Sequence, residues 1–476
     1  MTLGYEEAVG SLHAIDPAWP RPAVLDVLEA PENRHLLDFV QEDPFGAHVF
    51  PGNVPGTPAE FLRDLDAQLA SSGPIHLWSY IPTCAYRCRF CQYPVVLVKG
   101  KIEKAADWVD LNIAEARLWL DAVPNLAGAE VGEFNVFGGT PSLLPEAEIR
   151  RLLEFYRSHF GFTADTTIRF EGDPSTFTPA KLDLLRELGC TKLSSGVQSF
   201  DDHVLELCGR EHTAKMCVDF VRNATAAGFE WVSIDLMYGL LDQTLDSVRR
   251  DLDVVLENEV TAVVCTKLHL ASYSDTRTGV TGEKPAAWQL PSYRDKLVRD
   301  GHRWPTLGEQ YQMRELLTEG LRAAGYTEHP TMYFARDGLG PEKWKSIMVD
   351  QDKQEAEVAI GLGGSSSCRA SEAITDVNSR RYPETVRSGR IPLGSATRFT
   401  PEAQEARAVK MALTTLQPLR DSLHTARFPG RSLFAEPWLG KFRSLASRGL
   451  VRLRPGVVEL TPAGEVLVEA IITTEL

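Results

Sequence analysis

The sequence has no uninterrupted apolar run of membrane-spanning length, so no transmembrane helix and no membrane partner are expected. It also lacks a basic, apolar leader. The chain begins Met1-Thr-Leu-Gly-Tyr-Glu-Glu, which predicts a cytoplasmic protein rather than a secreted one. Its 8 cysteines are too few and too irregularly spaced for a disulfide framework. Basic charge is in deficit: 50 Lys and Arg face 65 Asp and Glu, and the net charge of −15 opposes attraction to phosphate backbones. Nucleic acid is therefore not an expected substrate. What is present is 476 residues at 43% hydrophobic, normal for a globular enzyme and too long for one ordinary core.

Three of the cysteines are regularly placed. Cys84, Cys88 and Cys91 form a C-x3-C-x2-C array directly after an apolar, strand-like run at 75–81. Three thiolates can hold three irons of a [4Fe-4S] cluster and leave the fourth open to the amino and carboxylate groups of S-adenosylmethionine (SAM). A structural zinc site would want four Cys or His ligands, and none follows Cys91 closely enough. A third reading, three buried core cysteines, does not explain the spacing. The other five, Cys190, Cys208, Cys217, Cys265 and Cys368, read as packing residues.

Around this array the chain alternates. β-rich runs at 75–82, 133–138, 167–171, 192–197, 231–237 and 262–268 are separated by helix-period segments. Six strand–helix units in series predict an α/β fold, a partial (β/α)6 barrel open on one side. Boundaries are expected at 1–72 for an N-terminal wrapping segment, 73–345 for the barrel, 346–399 for a barrel-closing strand and connector, and 400–476 for a winged-helix-like α+β domain. In such folds chemistry collects at the C-terminal ends of the strands. Each strand here ends in glycines or polar groups: the cysteine loop, Gly138-Gly139-Thr140-Pro141, Glu171-Gly172-Asp173, Gly196-Val197-Gln198, Asp235 to Gly239, and Lys267-Leu268-His269.

Several of these need a partner. A carboxylate at Glu171 would want a ribose diol, an ammonium group or a salt bridge; Asp235 lies in an otherwise apolar run; Arg210 presents a fork suited to a carboxylate. Gln198 offers a donor and an acceptor to a nucleoside, or serves as a plain turn amide. The glycines of 138–139 let backbone approach a ligand closely, or simply make a turn. His269 reads more readily as a packed or surface histidine than as a proton carrier. Gly361-Leu-Gly363-Gly is a weak motif on its own.

Together these marks resemble the radical SAM superfamily. The likeness is to the branch holding oxygen-independent coproporphyrinogen III oxidase, the haem chaperone and the class C radical SAM methyltransferases. It runs from about residue 78 to 336 and again over 361–367. The carrying motifs are the cysteine triad, G-G-T-P-S at 138–142, Glu171, G-V-Q-S at 196–199, Arg210 and I-D-L-M-Y-G-L at 234–240. The resemblance implies that Cys84, Cys88 and Cys91 ligate the cluster and that Gly138, Glu171, Arg210 and Asp235 hold a first SAM. Gly139, Thr140 and Gln198 would lie between it and a second SAM. Trp78, Tyr80, Phe90, Gly361 and Gly363 complete the implied cofactor contacts, and Tyr80, Gln198 and His269 are the implied catalytic side chains beside the cysteines.

Departures then weigh among the branch's chemistries. The oxidases carry a fourth cysteine where this chain has Tyr93, and a tyrosine and a histidine where it has Trp78 and Tyr80. The chaperone signature His-Asn-x-x-Tyr-Trp has no counterpart at 344–352. On these grounds the expectation is a class C enzyme, using two SAM molecules for methyl or methylene transfer to an sp2 carbon of a small molecule, as methylation or cyclopropanation in specialised metabolism. A tetrapyrrole enzyme and a cluster-sensing DNA-binding regulator are the alternatives. Expected partners are the small-molecule substrate and an electron donor such as flavodoxin or ferredoxin, with a separate methyltransferase as a further candidate.

Overall fold

A computed structural model describes residues 22–39, 53–71, 73–270, 285–336, 338 and 355–476. The expectation for 344–352 and the boundary at 345/346 lie outside them. At the centre are six parallel strands: β1 (Ile75–Ile81), β2 (Val131–Gly138), β3 (Thr167–Gly172), β4 (Lys192–Gln198), β5 (Trp231–Tyr238) and β6 (Ala262–Lys267), ordered as in the sequence. Helices α1 (Lys104–Ala122), α2 (Glu146–His159), α3 (Pro179–Glu187), α4 (Asp202–Cys208), α5 (Ala214–Ala226), α6 (Leu245–Glu257) and α7 (Leu307–Ala323) supply the crossovers.

Alternation along the strands explains the layers. Phe134 and Val136 of β2, Ile168 and Phe170 of β3, and Val232 and Ile234 of β5 share one core with Leu152, Leu185 and Phe220 of the helices. The intervening residues turn inward and are polar. Glu133 meets Lys192 at 2.7 Å, both almost fully buried, and Arg169 meets Glu171 at 3.3 Å and the Ser194 hydroxyl at 3.0 Å. A parallel sheet with covered faces usually reads as a near-continuous apolar run. The polar inner positions of this one mark a lumen built for a charged occupant.

Ala356–Ile360 (β7) pairs parallel with β1, Ala356 opposite Ile75. It extends the sheet beyond β1. Antiparallel strands continue on both sides, with Ser365–Ser367, Ser371–Thr375, Leu393–Phe399 and Asn53–Gly56 beyond β7, and Tyr333–Arg336 and Tyr326–Glu328 beyond β6. The described sheet holds 13 strands.

Four helices begin at a Thr-Pro pair, at Thr57, Thr178, Thr400 and Thr461, and at each the threonine side chain accepts from a backbone N–H in the first turn. The last two lie in the C-terminal unit, which holds helix Pro401–Thr414, helix Trp438–Ser447 and hairpin Val451–Arg454/Val457–Leu460. Its core also takes Val24, Leu28, Leu36 and Leu37 from the N-terminal segment. Asn33 fixes that contact by donating to the carbonyls of Val27 and Arg448 while its own oxygen accepts from Arg448 Nε. No helix among the described residues is long and apolar enough to cross a membrane.

Candidate active site at the C-terminal rim

The cysteine loop leaves β1 and is stitched to four neighbouring segments. Gly139 N–H donates to Ile81 O and Thr140 N–H to Thr83 O, Arg89 N–H reaches Cys208 O, the Gln92 amide donates to His269 O, and Trp288 N–H donates to Arg89 O. These bonds hold a loop with little regular structure in one conformation. Cys84 is buried, Cys88 and Cys91 partly so. Burial pushes the Cys84 thiol up to about 12 and the Cys91 thiol up to about 11, with neighbouring sulfurs adding to it.

Arg210 answers that cost. Its Nη1 donates to Cys88 Sγ at 3.0 Å, and its Nη2 donates to Gly196 O and to Asp173 at 3.1 Å. Asp173 also accepts from the Tyr86 hydroxyl at 2.6 Å, from the Ser175 backbone and hydroxyl, and pairs with His212 at 3.1 Å. Burial would raise this carboxyl, but the His212 hydrogen bond and the Arg210 charge win and hold it well below the usual carboxylate range. Asp173, His212 and Tyr86 were not among the expected site residues. The signal was present: Asp173 directly follows β3, two residues past Glu171, and His212 stands two past Arg210.

Inside the lumen, Asp235 has its carboxyl raised to about 7 by burial and by Glu171, against the opposing charges of Arg169 and Arg210. Glu171 is raised by burial and eased by Arg169. Asn135 presents a buried amide with neither end hydrogen-bonded, and Trp78 Nε1 is likewise buried without a partner. Two carboxyls at odds with their surroundings and unsatisfied polar atoms on the same inner face fit a cationic, hydrogen-bonding guest. Gln198, buried at the end of β4, holds a φ of 71° across a β-bulge, a strained backbone at the place expected to meet nucleoside.

Other expected contacts take different work. A Cβ on Gly139 would stand 2.6 Å from Thr83 O and one on Gly138 2.8 Å from Ile81 O. These glycines thus let β2 close on the cysteine loop. A Cβ on Gly361 would stand 2.4 Å from Tyr80 O, and one on Gly363 2.7 Å from Pro94. The Gly361 N–H donates to Glu115, so this turn braces β1 from the outside. Tyr80 is buried with its hydroxyl donating to Pro94 O at 2.9 Å and its ring edge-on to Phe137. Trp78 also lies edge-on to Phe137, at 4.7 Å. Phe90 belongs to an apolar wall with Trp288 and Trp304 beside the loop. His269 has its ring held well below the ordinary histidine value by burial and by Lys267, so it is neutral near pH 7.

The donor set fits a cluster better than an ion. Among the described residues, no three His, Cys, Asp or Glu side chains converge on a single metal ion. Three thiols spread around a loop, with an arginine on one of them, suit a group larger than zinc.

Comparison with known proteins agrees. Residues 78–255 match the Radical SAM superfamily model. The oxygen-independent coproporphyrinogen III oxidase of Pseudomonas aeruginosa is 27% identical over 433 residues, covering 87% of this chain and 88% of that protein. The Escherichia coli oxidase is 35% identical over 184 residues, 39% of each. The heme chaperone HemW of Bacillus subtilis is 22% identical over 391 residues, covering 82% of this chain and 95% of the chaperone. The solved structure of the Escherichia coli oxidase shares the fold, with a TM-score of 0.73 at 24% identity over 88% of this chain and 94% of that one.

These relatives correct the expectation of methyl or methylene transfer in specialised metabolism. The sequences that align along most of this chain are an oxidase and a heme chaperone, not methyltransferases. The physical reason is plain in the loop. An open-iron cluster needs three thiolates, so Tyr93 in place of a fourth cysteine leaves the triad complete and does not discriminate between chemistries.

Proposed function

We propose, from the premise that residues 78–255 are a radical SAM domain, that this chain oxidises a tetrapyrrole without oxygen, in the manner named for its coproporphyrinogen III oxidase relatives. The observation that carries the proposal is the 27% identity maintained over 88% of the Pseudomonas oxidase, which spans the barrel and what flanks it. When bound, the [4Fe-4S] cluster and SAM supply a reductively generated carbon radical that removes a hydrogen atom from substrate.

The chain's own residues do the rest. Cys84, Cys88 and Cys91 hold the cluster at the rim, and Arg210, fixed by Asp173, neutralises the sulfur of Cys88. Glu171 and Asp235 offer negative charge in the lumen to the cationic sulfonium and ammonium of SAM. The strained Gln198 is the natural contact for a second SAM between the lumen and the substrate. An external electron donor completes the proposal.

The test is anaerobic. Reconstituted protein with dithionite, methyl-deuterated SAM and coproporphyrinogen III should yield 5′-deoxyadenosine free of methyl-derived deuterium, with matching loss of the porphyrinogen. No substrate-dependent 5′-deoxyadenosine with coproporphyrinogen or other tetrapyrroles would overturn the reading. Equilibrium dialysis with labelled SAM reads the stoichiometry, and one SAM per chain would remove the second.

A further inference from the structure

The segment that follows the cysteines carries a surface unlike the rest of the chain. Residues 99–104, Lys-Gly-Lys-Ile-Glu-Lys, are all exposed, and Leu97 is exposed just before them. Among the described residues seven large hydrophobic side chains are exposed, and three of these, Tyr93 at 43%, Leu97 at 38% and Ile102 at 41%, fall within this one segment. Tyr93 is turned toward the site, where Glu171 and Cys91 act on its phenol. Leu97 and Ile102 are left on the outside, among lysines. Lys99, Lys101 and Lys104 form no ion pair among the described residues, and against Glu103 they make this stretch locally basic in a chain of net charge −15.

Its attachment gives the patch a purpose. Val96 N–H donates to Pro82 O at 2.7 Å, and Val98 N–H donates to Cys84 O at 3.0 Å. The Cα of Lys99, one residue farther along, therefore lies within roughly 9 Å of the carbonyl of the first cysteine, given ordinary backbone dimensions. Val98, Ala105 and Val109 pack into the core shared with the outer helices, so the patch lies on the barrel's exterior. Substrate and SAM belong to the lumen, where Glu171 and Asp235 point. A basic and apolar surface outside the barrel, joined by backbone hydrogen bonds to a cluster ligand, faces away from both.

We propose that Lys99, Lys101 and Lys104, with Leu97 and Ile102 between them, form the docking surface for a small acidic one-electron carrier of the flavodoxin or ferredoxin class. This rests on the radical SAM reading of the site, because only a cluster that must be reduced needs such a partner. One electron leaves the reduced carrier and enters the cluster; no proton or atom is transferred, and the carrier departs oxidised by one electron. Charge complementarity selects the partner. The carrier's anionic face meets three unpaired ammonium groups, while the rest of this acidic chain repels it, and the small apolar centre suits a complex that must form and part quickly.

The experiment follows cluster reduction rather than turnover, so it reads out even where the substrate assignment fails. The reconstituted full chain and a Lys99→Glu/Lys101→Glu/Lys104→Glu variant are mixed anaerobically with reduced flavodoxin, with reduced [2Fe-2S] ferredoxin and with dithionite. The bleaching of cluster absorbance is timed across ionic strengths. The wild-type rate with the protein carriers should fall steeply with salt. At low salt the variant should be slower by about 10-fold or more, in line with the size of electrostatic steering. Dithionite reduction and the iron content should be unchanged. Equal rates with the protein carriers in variant and wild type would overturn the proposal. So would an equal loss with dithionite, which would mean that the lysines support the loop itself. A dithionite-driven turnover assay gives the third outcome: a raised KM for the tetrapyrrole in the variant would assign the lysines to substrate carboxylates and overturn the carrier.

Discussion

Replacing Asp235 by Asn should make the protein more stable and its SAM site worse. In the folded chain burial, and after it the nearby Glu171, push this carboxyl up from 3.8 to about 7, against the charges of Arg169 and Arg210. A difference of three pH units corresponds to about 4 kcal/mol held against the ionised form. Asp235 is only partly buried, and lumen water reduces that to about 2 kcal/mol. The sign follows from linkage. Below about pH 4 the group is protonated in folded and unfolded chains alike and contributes nothing to the difference between variant and wild type. Between about 4 and 7 the unfolded chain ionises while the folded chain does not, so wild-type stability falls behind; above 7 the gap is constant. Thermal melts of cluster-free protein should show Asp235→Asn above wild type by about 2 °C at pH 8. The gain should largely vanish at pH 4.5. The same substitution removes an anion from a site meant for a cation, so SAM affinity of the reconstituted enzyme should fall by about 10-fold or more, measured by calorimetry. A variant that binds SAM like wild type, or whose melting advantage is the same at both pH values, would refute the placing of Asp235 as a strained partner of a cationic guest.

Three other changes probe other parts of the site. Cys88→Ala should abolish both the cluster absorbance and 5′-deoxyadenosine formation, since two thiols cannot hold the group. Gly139→Ala puts a methyl 2.6 Å from Thr83 O; iron content after reconstitution should drop, and a chemical melt should show a loss of about 2 kcal/mol or more. Tyr382→Phe removes the hydroxyl that donates at 2.5 Å to buried Glu115, whose carboxyl already sits near 7 because of burial. The loss should be about 1–3 kcal/mol in urea unfolding, and it should be larger at pH 8, where Glu115 is ionised, than at pH 5.5, where it is protonated.

Much of the fold was legible because the barrel strands carry two signals at once. Phe134, Val136, Ile168 and Phe170 face the helices while Glu133, Asn135, Arg169 and Glu171 face the lumen, so strand ends and chemistry coincide. In the C-terminal unit the helix starts at Thr400-Pro401 and Thr461-Pro462 and the hairpin at Pro455-Gly456 were legible from their turn and capping residues. What escaped depends on distance along the chain. Asn33 bonds to Arg448 across 415 positions, and no periodicity in either segment announces it. The strands Ser365–Ser367 and Ser371–Thr375, paired on both sides within the sheet, are only 3 and 5 residues long, too short for an alternation to stand out in sequence. The glycine motifs were found, but their neighbours within the protein were not. A tight backbone approach looks the same in sequence whether the neighbour is a ligand or another strand, and at Gly139 and Gly361 the neighbours are Thr83 and Tyr80.

The same confusion of partners lay behind the expectation about chemistry. Tyr93 stands next to the cluster loop, and its replacement of a cysteine looked decisive because it is close to the metal. Yet the loop's neighbours, Arg210, Asp173, Thr140 and Gln92, secure the cysteines and their charge, a task common to any chemistry begun by a SAM radical. Discrimination between substrates belongs to groups that touch substrate, which here means the lumen and its rim. There the buried pair Glu133–Lys192 and the coupled set Arg169, Glu171 and Asp235 lay out alternating charge along the inner wall. A wall of that kind stays ordered only where its own charges are already paired, and the Lys192 and Arg169 pairs meet that condition. Residues beside the cluster loop bear on how a radical is made, and a single substitution there, such as Tyr93, carries little weight against likeness that covers 88% of an oxidase's length.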